Sequence, residues 1–154
     1  MVDDVLSIFI ILWAVIDPIG TVPVFIALTK SYNPSEKVKI ARNASFIAYI
    51  LLTLFLLSGK VLLEKLGIPL AAFQTSGGVI LLLFALNMVF GDSKPEEEIQ
   101  LVKNYAETAV FPLAIPSIAG PGALLAVVLL AGSWRHSYKH QFIIIGVIGV
   151  VLVL

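Results

Sequence analysis

The amino-acid sequence predicts an all-α, polytopic membrane protein folded as a helical bundle, and three observations lead to that class. The 154 residues are 59% hydrophobic and only 13% charged, whereas soluble domains are about 45–50% apolar and about 25% charged. The charged residues are grouped between long uncharged stretches, and prolines recur inside those stretches at a fixed spacing. Ten basic residues balance ten acidic ones, which excludes the basic excess typical of nucleic-acid binding. The absence of cysteine excludes disulfides and thiolate chemistry.

Five stretches of low charge predict the transmembrane helices, which we call spans 1 to 5. They are residues 5–29, 43–59, 66–91, 108–134 and 141–154. Asp17 is the only charged residue in any of them. A hydrocarbon core about 30 Å thick requires about 20 apolar residues of helix, and uncharged runs of this kind predict spanning helices. Span 5 has too few residues to cross the core.

The distribution of lysine and arginine predicts the orientation of the chain. No basic residue precedes span 1, so span 1 lacks the basic region of a cleaved signal peptide and is expected to stay in the membrane. Six of the ten basic residues lie in the connections after spans 1 and 3, and four lie on the opposite side. Because basic loops favour the cytoplasm, we expect a multi-pass protein of the cytoplasmic (inner) membrane with its N-terminus outside.

The prolines reveal an internal repeat. Span 1 contains Pro18 and Pro23, and span 4 contains Pro116 and Pro121, so the motif Pro-x4-Pro recurs at an offset of 98 residues. The same offset maps the residue that precedes span 2 onto the residue that precedes span 5. We therefore predict a duplication in which spans 1 and 4 are broken helices, since a proline removes a backbone donor and usually breaks a helix.

The duplication predicts the domain organisation. Residues 1–90 form a first three-helix repeat, residues 91–107 an acidic connector with a short interfacial helix near 96–105, and residues 108–154 an incomplete second repeat. Three spans are an odd number, so the second copy is inverted relative to the first. A 3+3 inverted repeat with corresponding broken helices is typical of secondary transporters. It also predicts that the chain is a fragment whose C-terminal part, the rest of span 5 and a span 6, is missing.

The two breaks predict a substrate site. A half-helix that starts after Pro23 or after Pro121 directs its amides into the membrane centre, which favours an anion. Carbonyl groups before each break suit a cation, so the pair can hold a zwitterion. The predicted substrate-binding residues are Asp17, Pro18, Gly20, Thr21 and Pro23 from the first repeat and Pro116, Ser117, Gly120, Pro121 and Gly122 from the second.

Asp17 has two interpretations. A carboxylate at mid-membrane costs at least about 2.5–3.5 kcal/mol, which favours a role as proton carrier, cation ligand or partner of a substrate ammonium. The alternative is a cap on the half-helix after Pro18, with the carboxylate accepting from the amides of Gly20 and Thr21. The two roles are compatible.

Other polar residues carry weaker signals. Ser76, Gly77 and Gly78 are predicted to allow tight helix packing. Lys60 and Glu64, one helical turn apart, are either an interfacial ion pair or part of a transport path. His136 and His140 have no carboxylate near them in the sequence, so no metal site is predicted.

Three stretches of the sequence resemble the MarC family of bacterial and archaeal inner-membrane proteins. They are residues 17–25 (DPIGTVPVF), 76–88 (SGGVILLLFALNM) and 111–123 (FPLAIPSIAGPGA). The resemblance covers the chain from span 1 to span 5 and implies six spans in a complete member. Because the family includes transporters of small neutral amino acids, the resemblance implies that activity, with sodium or proton coupling.

The leading hypothesis is a secondary transporter of small neutral amino acids, with the lipid bilayer and the amino acid as its partners. The alternative is an accessory or interaction membrane protein that transports nothing. An enzyme is not expected, since the spans offer one carboxylate and no histidine where acid–base chemistry needs a pair of groups. No nucleotide-binding GxxxxGK[ST] motif is present, which excludes ATP-driven transport within this chain. No cofactor is predicted, and the sequence leaves the oligomeric state open.

Overall fold

The computed structural model describes residues 2–90, 105–133 and 138–153, and every regular element among them is helical. The prediction of an all-α protein is therefore confirmed. We number the α-helices in chain order and call the segment between α5 and α6, in which Phe111 and Ile115 are not helical, the π segment. The elements are α1 Val2–Ile16, α2 Pro18–Thr29, α3 Pro34–Lys65, α4 Leu70–Phe90, α5 Tyr105–Thr108, the π segment Ala109–Ile118, α6 Pro121–Ser133 and α7 Tyr138–Val153.

The helices have the length and hydropathy of a membrane protein. Two stretches can cross a bilayer as they stand, Asp4–Thr29 with 26 residues and Pro34–Lys65 with 32. A third crossing is added if Ala106–Ile118 and Pro121–Gly132, which are bent by 60° relative to each other, count as one. The apolar part of α7, Lys139–Val153, is shorter.

The helix in span 1 is interrupted at Asp17 and not at Pro23. Asp17 has φ 47° and ψ 66°, a left-handed conformation, and Pro18 occupies the first position of α2. The residue before a proline is driven out of the right-handed helical region, which explains the position of the interruption. Pro23 lies inside α2, so the prediction that a half-helix starts after Pro23 is wrong. An internal proline removes one hydrogen bond, and α2 continues past it to Thr29.

Helix α3 begins well before span 2. Asn33 and Glu36 form a capping box, in which the Glu36 amide donates to the Asn33 side chain (3.0 Å) and the Asn33 amide donates to the Glu36 carboxylate (3.1 Å). Pro34 follows as the first helical residue, a position that suits its fixed φ. The expectation of a loop over residues 30–42 is therefore wrong, because the connection is only residues 30–33 and the basic residues after it lie in the first turns of α3.

The core is built around α3, which packs against the π segment, α6 and α7. Its buried side chains recur at every fourth position, which places them on one helical face. They are Ile40, Ala44, Ala48, Leu52 and Leu56. Helix α1 packs against α6 and α7, α2 against the π segment, and α4 against α6.

Two glycines allow α6 to lie close to its neighbours. A Cβ atom on Gly59 would lie 2.5 Å from Cγ2 of Val128, and a Cβ atom on Gly77 would lie 2.5 Å from Cδ2 of Leu125. Among the three residues predicted to allow packing, Gly77 is thus at a helix contact. A Cβ atom on Gly78 would meet open space, and Ser76 is exposed.

Some predicted features fall outside the described residues. These are the interfacial helix over residues 96–104 and His136. Tyr105, the last residue of that predicted helix, begins α5. Among the described residues, no group of three His, Cys, Asp or Glu side chains could hold a metal ion.

Candidate functional site

A cleft of about 490 Å³ lies where α1, α2, α4, the π segment and α6 meet. It brings together eight of the ten residues predicted to bind substrate. These are Asp17, Gly20, Thr21, Pro116, Ser117, Gly120, Pro121 and Gly122. The two exceptions are Pro23, which is exposed, and Pro18, which lines a neighbouring cavity of about 270 Å³. That cavity shares Ile16 and Thr21 with the cleft.

Asp17 caps α2 with one oxygen of its carboxylate. Its Oδ1 accepts a hydrogen bond from the Gly20 amide at 3.0 Å. The Thr21 amide (3.1 Å) and the Thr21 hydroxyl (3.0 Å) both donate to the backbone carbonyl of Asp17, so the expectation that the Thr21 amide binds the carboxylate is wrong. From the part of the chain that the structure describes, Oδ2 accepts no hydrogen bond. The second carboxylate oxygen is therefore available to a ligand.

Gly20 is required for this cap. A Cβ atom at position 20 would overlap the carboxylate of Asp17, so a larger residue displaces the side chain that accepts from its amide. The free amides at the start of a helix carry partial positive charge. The Asp17 carboxylate at the start of α2 is stabilised by that charge and lies on the wall of the cleft.

The opposite wall contains a second interruption, at the end of the π segment. Phe111 (φ −131°, ψ 131°) and Ile115 (φ −134°, ψ 121°) are extended, and each precedes a proline through a cis peptide bond. Regular α-helix resumes only at Pro121. A Cβ atom on Gly120 would lie 2.8 Å from the carbonyl oxygen of Pro116, so the chain can approach itself this closely only at a glycine.

The two walls together present groups of opposite polarity. Helices α2 and α6 both begin at the cleft. The Gly20 and Thr21 amides of α2 are already bonded to Asp17, so the first amides of α6 are the donors suited to a carboxylate. The acceptors are the Asp17 carboxylate and the half-buried Ser117 hydroxyl. The remaining wall is formed by small or apolar side chains, Ala14, Val15, Ile16, Val24 and Ala85. Such a site can hold a small molecule that carries both a negative and a positive group.

The apolar wall was missing from the sequence prediction. Ala14 and Val24 lie three and seven positions from Asp17, spacings that a continuous helix would place on one face, so helical periodicity could have identified them. Ala85 comes from α4, and no motif in the sequence connects α4 with the breaks.

Comparison with known proteins identifies the family. The chain matches the family model described as MarC family integral membrane protein over residues 2–154. A UPF0056 membrane protein of Aquifex aeolicus is 41% identical over 128 residues, which cover 80% of this chain and 60% of that protein. A UPF0056 membrane protein of Methanocaldococcus jannaschii is 38% identical over 137 residues (87% of this chain, 66% of that protein). UPF0056 membrane protein YvbG of Bacillus subtilis is 31% identical over 156 residues, covering 98% and 74%.

The chain is similar to part of each of these relatives. It spans between 60% and 74% of their lengths. Their names assign no enzymatic activity and no substrate. No solved structure matches the chain with significance.

Proposed function

The chain belongs to the MarC family of integral membrane proteins, and we propose that it is a secondary transporter of small neutral amino acids across the cytoplasmic membrane. The observation that carries the proposal is the cleft itself. It joins the interruption at Asp17 to the interruption at Gly120, two segments that are about 100 residues apart in the sequence. Interrupted helices that meet around a cavity are the usual binding site of secondary transporters.

The helix contacts support an inverted repeat. In a pseudo-twofold arrangement span 1 exchanges with span 4 and span 2 with span 5. A contact between spans 1 and 5 then requires one between spans 2 and 4, and both occur, as α1 with α7 and α3 with α6. The residue before the first proline of each Pro-x4-Pro motif, Asp17 or Ile115, leaves the helical conformation in both copies.

The contents of the cleft support a small zwitterion as substrate. Its volume of about 490 Å³ lies in the lower half of the range for small-molecule pockets. The substrate ammonium would bind Oδ2 of Asp17, and the substrate carboxylate would bind the first amides of α6. Alanine and glycine residues in the wall leave space for a short substrate side chain.

Transport against a gradient requires a coupling ion. Asp17 can carry a proton or contribute an oxygen ligand to sodium. Ion coupling and substrate binding then use the same carboxylate. Basic residues in the first turns of α3 favour a cytoplasmic location for that end of the helix, which is consistent with an external N-terminus.

Uptake into proteoliposomes tests the proposal. The full-length protein is reconstituted, and uptake of labelled alanine and glycine is measured with a sodium gradient, with a proton gradient and with none. We expect gradient-dependent uptake that an excess of unlabelled alanine inhibits. Absence of uptake under every gradient, by protein that is folded in the same vesicles, would refute the transporter and favour the non-transporting accessory role.

A further inference from the structure

A second large cavity lies at the end of α3, apart from the cleft. It has a volume of about 420 Å³ and is enclosed by α3, the turn into α4, and α6. Its apolar wall includes Leu63, Ile68, Leu70 and Val128, and its polar wall is formed by Lys60 and Glu64. None of these residues lines the proposed transport site, so the cavity requires a separate explanation.

The floor of the cavity is a close helix crossing. Gly59 allows α3 to lie against Val128 of α6. A Cβ atom at position 59 would be 2.5 Å from a methyl carbon of Val128. Lys60 and Val128 both line the cavity directly beyond this contact. On the other wall, a Cβ atom on Gly132 would lie 3.1 Å from Leu70. Close contacts of α3 with α6 and of α6 with α4 therefore border the cavity.

The position of Lys60 places the cavity at the membrane surface. Residues 43–59 of α3 carry no charge and follow Arg42, and these 17 residues extend for about 26 Å at the rise of an α-helix. The hydrocarbon core is about 30 Å thick, so Lys60 and Glu64 lie near its boundary. Lipid headgroups occupy this depth, and apolar side chains here adjoin the first carbons of the acyl chains.

The Lys60 and Glu64 side chains can each form further hydrogen bonds. The Lys60 ammonium and a Glu64 carboxylate oxygen are 3.6 Å apart, and the two side chains are 38% and 64% exposed. This separation is longer than a hydrogen bond. An ammonium has three donors and a carboxylate has about four acceptor sites. The Lys60 ammonium can therefore bind a phosphate while the Glu64 carboxylate binds an ammonium, so that positive and negative groups alternate around the site.

We propose that this cavity binds a phospholipid whose headgroup carries a phosphate and a primary ammonium, as in phosphatidylethanolamine. The phosphate binds Lys60, the ammonium donates to Glu64, and the glycerol and upper acyl chain contact Leu63, Ile68 and Val128. A primary ammonium is preferred to the quaternary ammonium of phosphatidylcholine because only the former donates hydrogen bonds to a carboxylate. The lipid would join the end of α3 to α4 and α6.

Native mass spectrometry of the full-length protein tests the proposal. The protein is exchanged into detergent with phosphatidylethanolamine, phosphatidylcholine or phosphatidylglycerol, and the bound lipid is counted. We expect one phosphatidylethanolamine retained at concentrations where phosphatidylcholine is lost. Lys60→Gln and Glu64→Gln each weaken retention about fivefold, the loss expected when one charge-assisted contact at a partly exposed site is removed.

The control variant is Lys65→Gln, which removes a neighbouring charge that does not line the cavity. Lys65→Gln should retain the lipid, and Glu64→Gln should increase retention of the anionic phosphatidylglycerol. Soluble phosphoethanolamine separates headgroup binding from lipid binding, and it should not displace the lipid at equal concentration. Equal retention by the Lys60, Glu64 and Lys65 variants, or displacement by the soluble headgroup, would overturn the proposal.

Discussion

Replacing Asp17 by asparagine, glycine and alanine separates the three roles that its position combines. The residue is left-handed, its side chain caps α2 through Gly20, and its charge lines the cleft. Asparagine keeps the capping oxygen and tolerates the left-handed region but removes the charge. Glycine removes the side chain and relaxes the backbone, whereas alanine removes the cap and keeps the unfavourable φ.

The structure predicts the size of each effect. Both hydrogen bonds of Thr21 go to the Asp17 backbone carbonyl, so they survive every substitution. Loss of the cap to alanine costs about 1 kcal/mol, and a left-handed alanine costs about 1 kcal/mol more. For a chain of this length 1 kcal/mol lowers Tm by about 2–4 °C. We expect Asp17→Ala to lower Tm by about 4–8 °C, and the asparagine and glycine variants to change it by less than about 2 °C.

Thermal unfolding of the full-length protein in detergent measures these shifts. Uptake of labelled alanine, after the same preparations are reconstituted, tests the role of the Asp17 charge. Asp17→Asn should fold normally and lose gradient-driven uptake. Equal Tm values for the alanine, glycine and asparagine variants would show that the cap and the left-handed backbone contribute nothing. Normal uptake by Asp17→Asn would leave the carboxylate with its capping role alone.

Two further predictions concern glycines. Gly59→Ala forces a methyl group against Val128 and should destabilise the protein by about 1–3 kcal/mol. In a double-mutant cycle followed by thermal unfolding, Val128→Ala in the same chain should recover part of that loss. Additive effects of the two substitutions would contradict the contact. Gly120→Ala places a Cβ atom against the rigid Pro116 carbonyl and should abolish uptake. The matched control is Gly78→Ala in α4, where the added Cβ atom meets open space. This control should leave uptake unchanged and alter stability by no more than about 1 kcal/mol. Equal uptake by the two glycine variants would contradict the role of the second interruption.

The sequence predicted the elements that depend on local chemistry. Charge-free length identifies membrane helices because lipid excludes charged groups, and the proline motifs identified the segments that line the cleft. It failed to place the start of α3, because the capping box and the first apolar residue indicate different starting positions. Asn33 and Glu36 start α3 ahead of its first apolar residue, since a capping box acts through the backbone and needs no apolar neighbour.

Features that depend on tertiary packing were beyond the sequence. The contribution of Ala85 to the cleft depends on how α4 packs against α6. The pair Lys60 and Glu64 was recognised, but the cavity beside it depends on the crossing of α3 and α6.

The claim that the cleft binds the transported amino acid is tested most directly by substrate protection of a single cysteine. The chain contains no cysteine, so Ser117→Cys introduces a single thiol on the cleft wall, and Ser35→Cys introduces one in the exposed first turn of α3, outside the predicted spans, as a control. Modification of each thiol by a membrane-permeant thiosulfonate is followed in proteoliposomes with and without alanine. We predict that alanine slows modification at position 117 and leaves the rate at position 35 unchanged. Equal rates at position 117 with and without saturating alanine would contradict the claim.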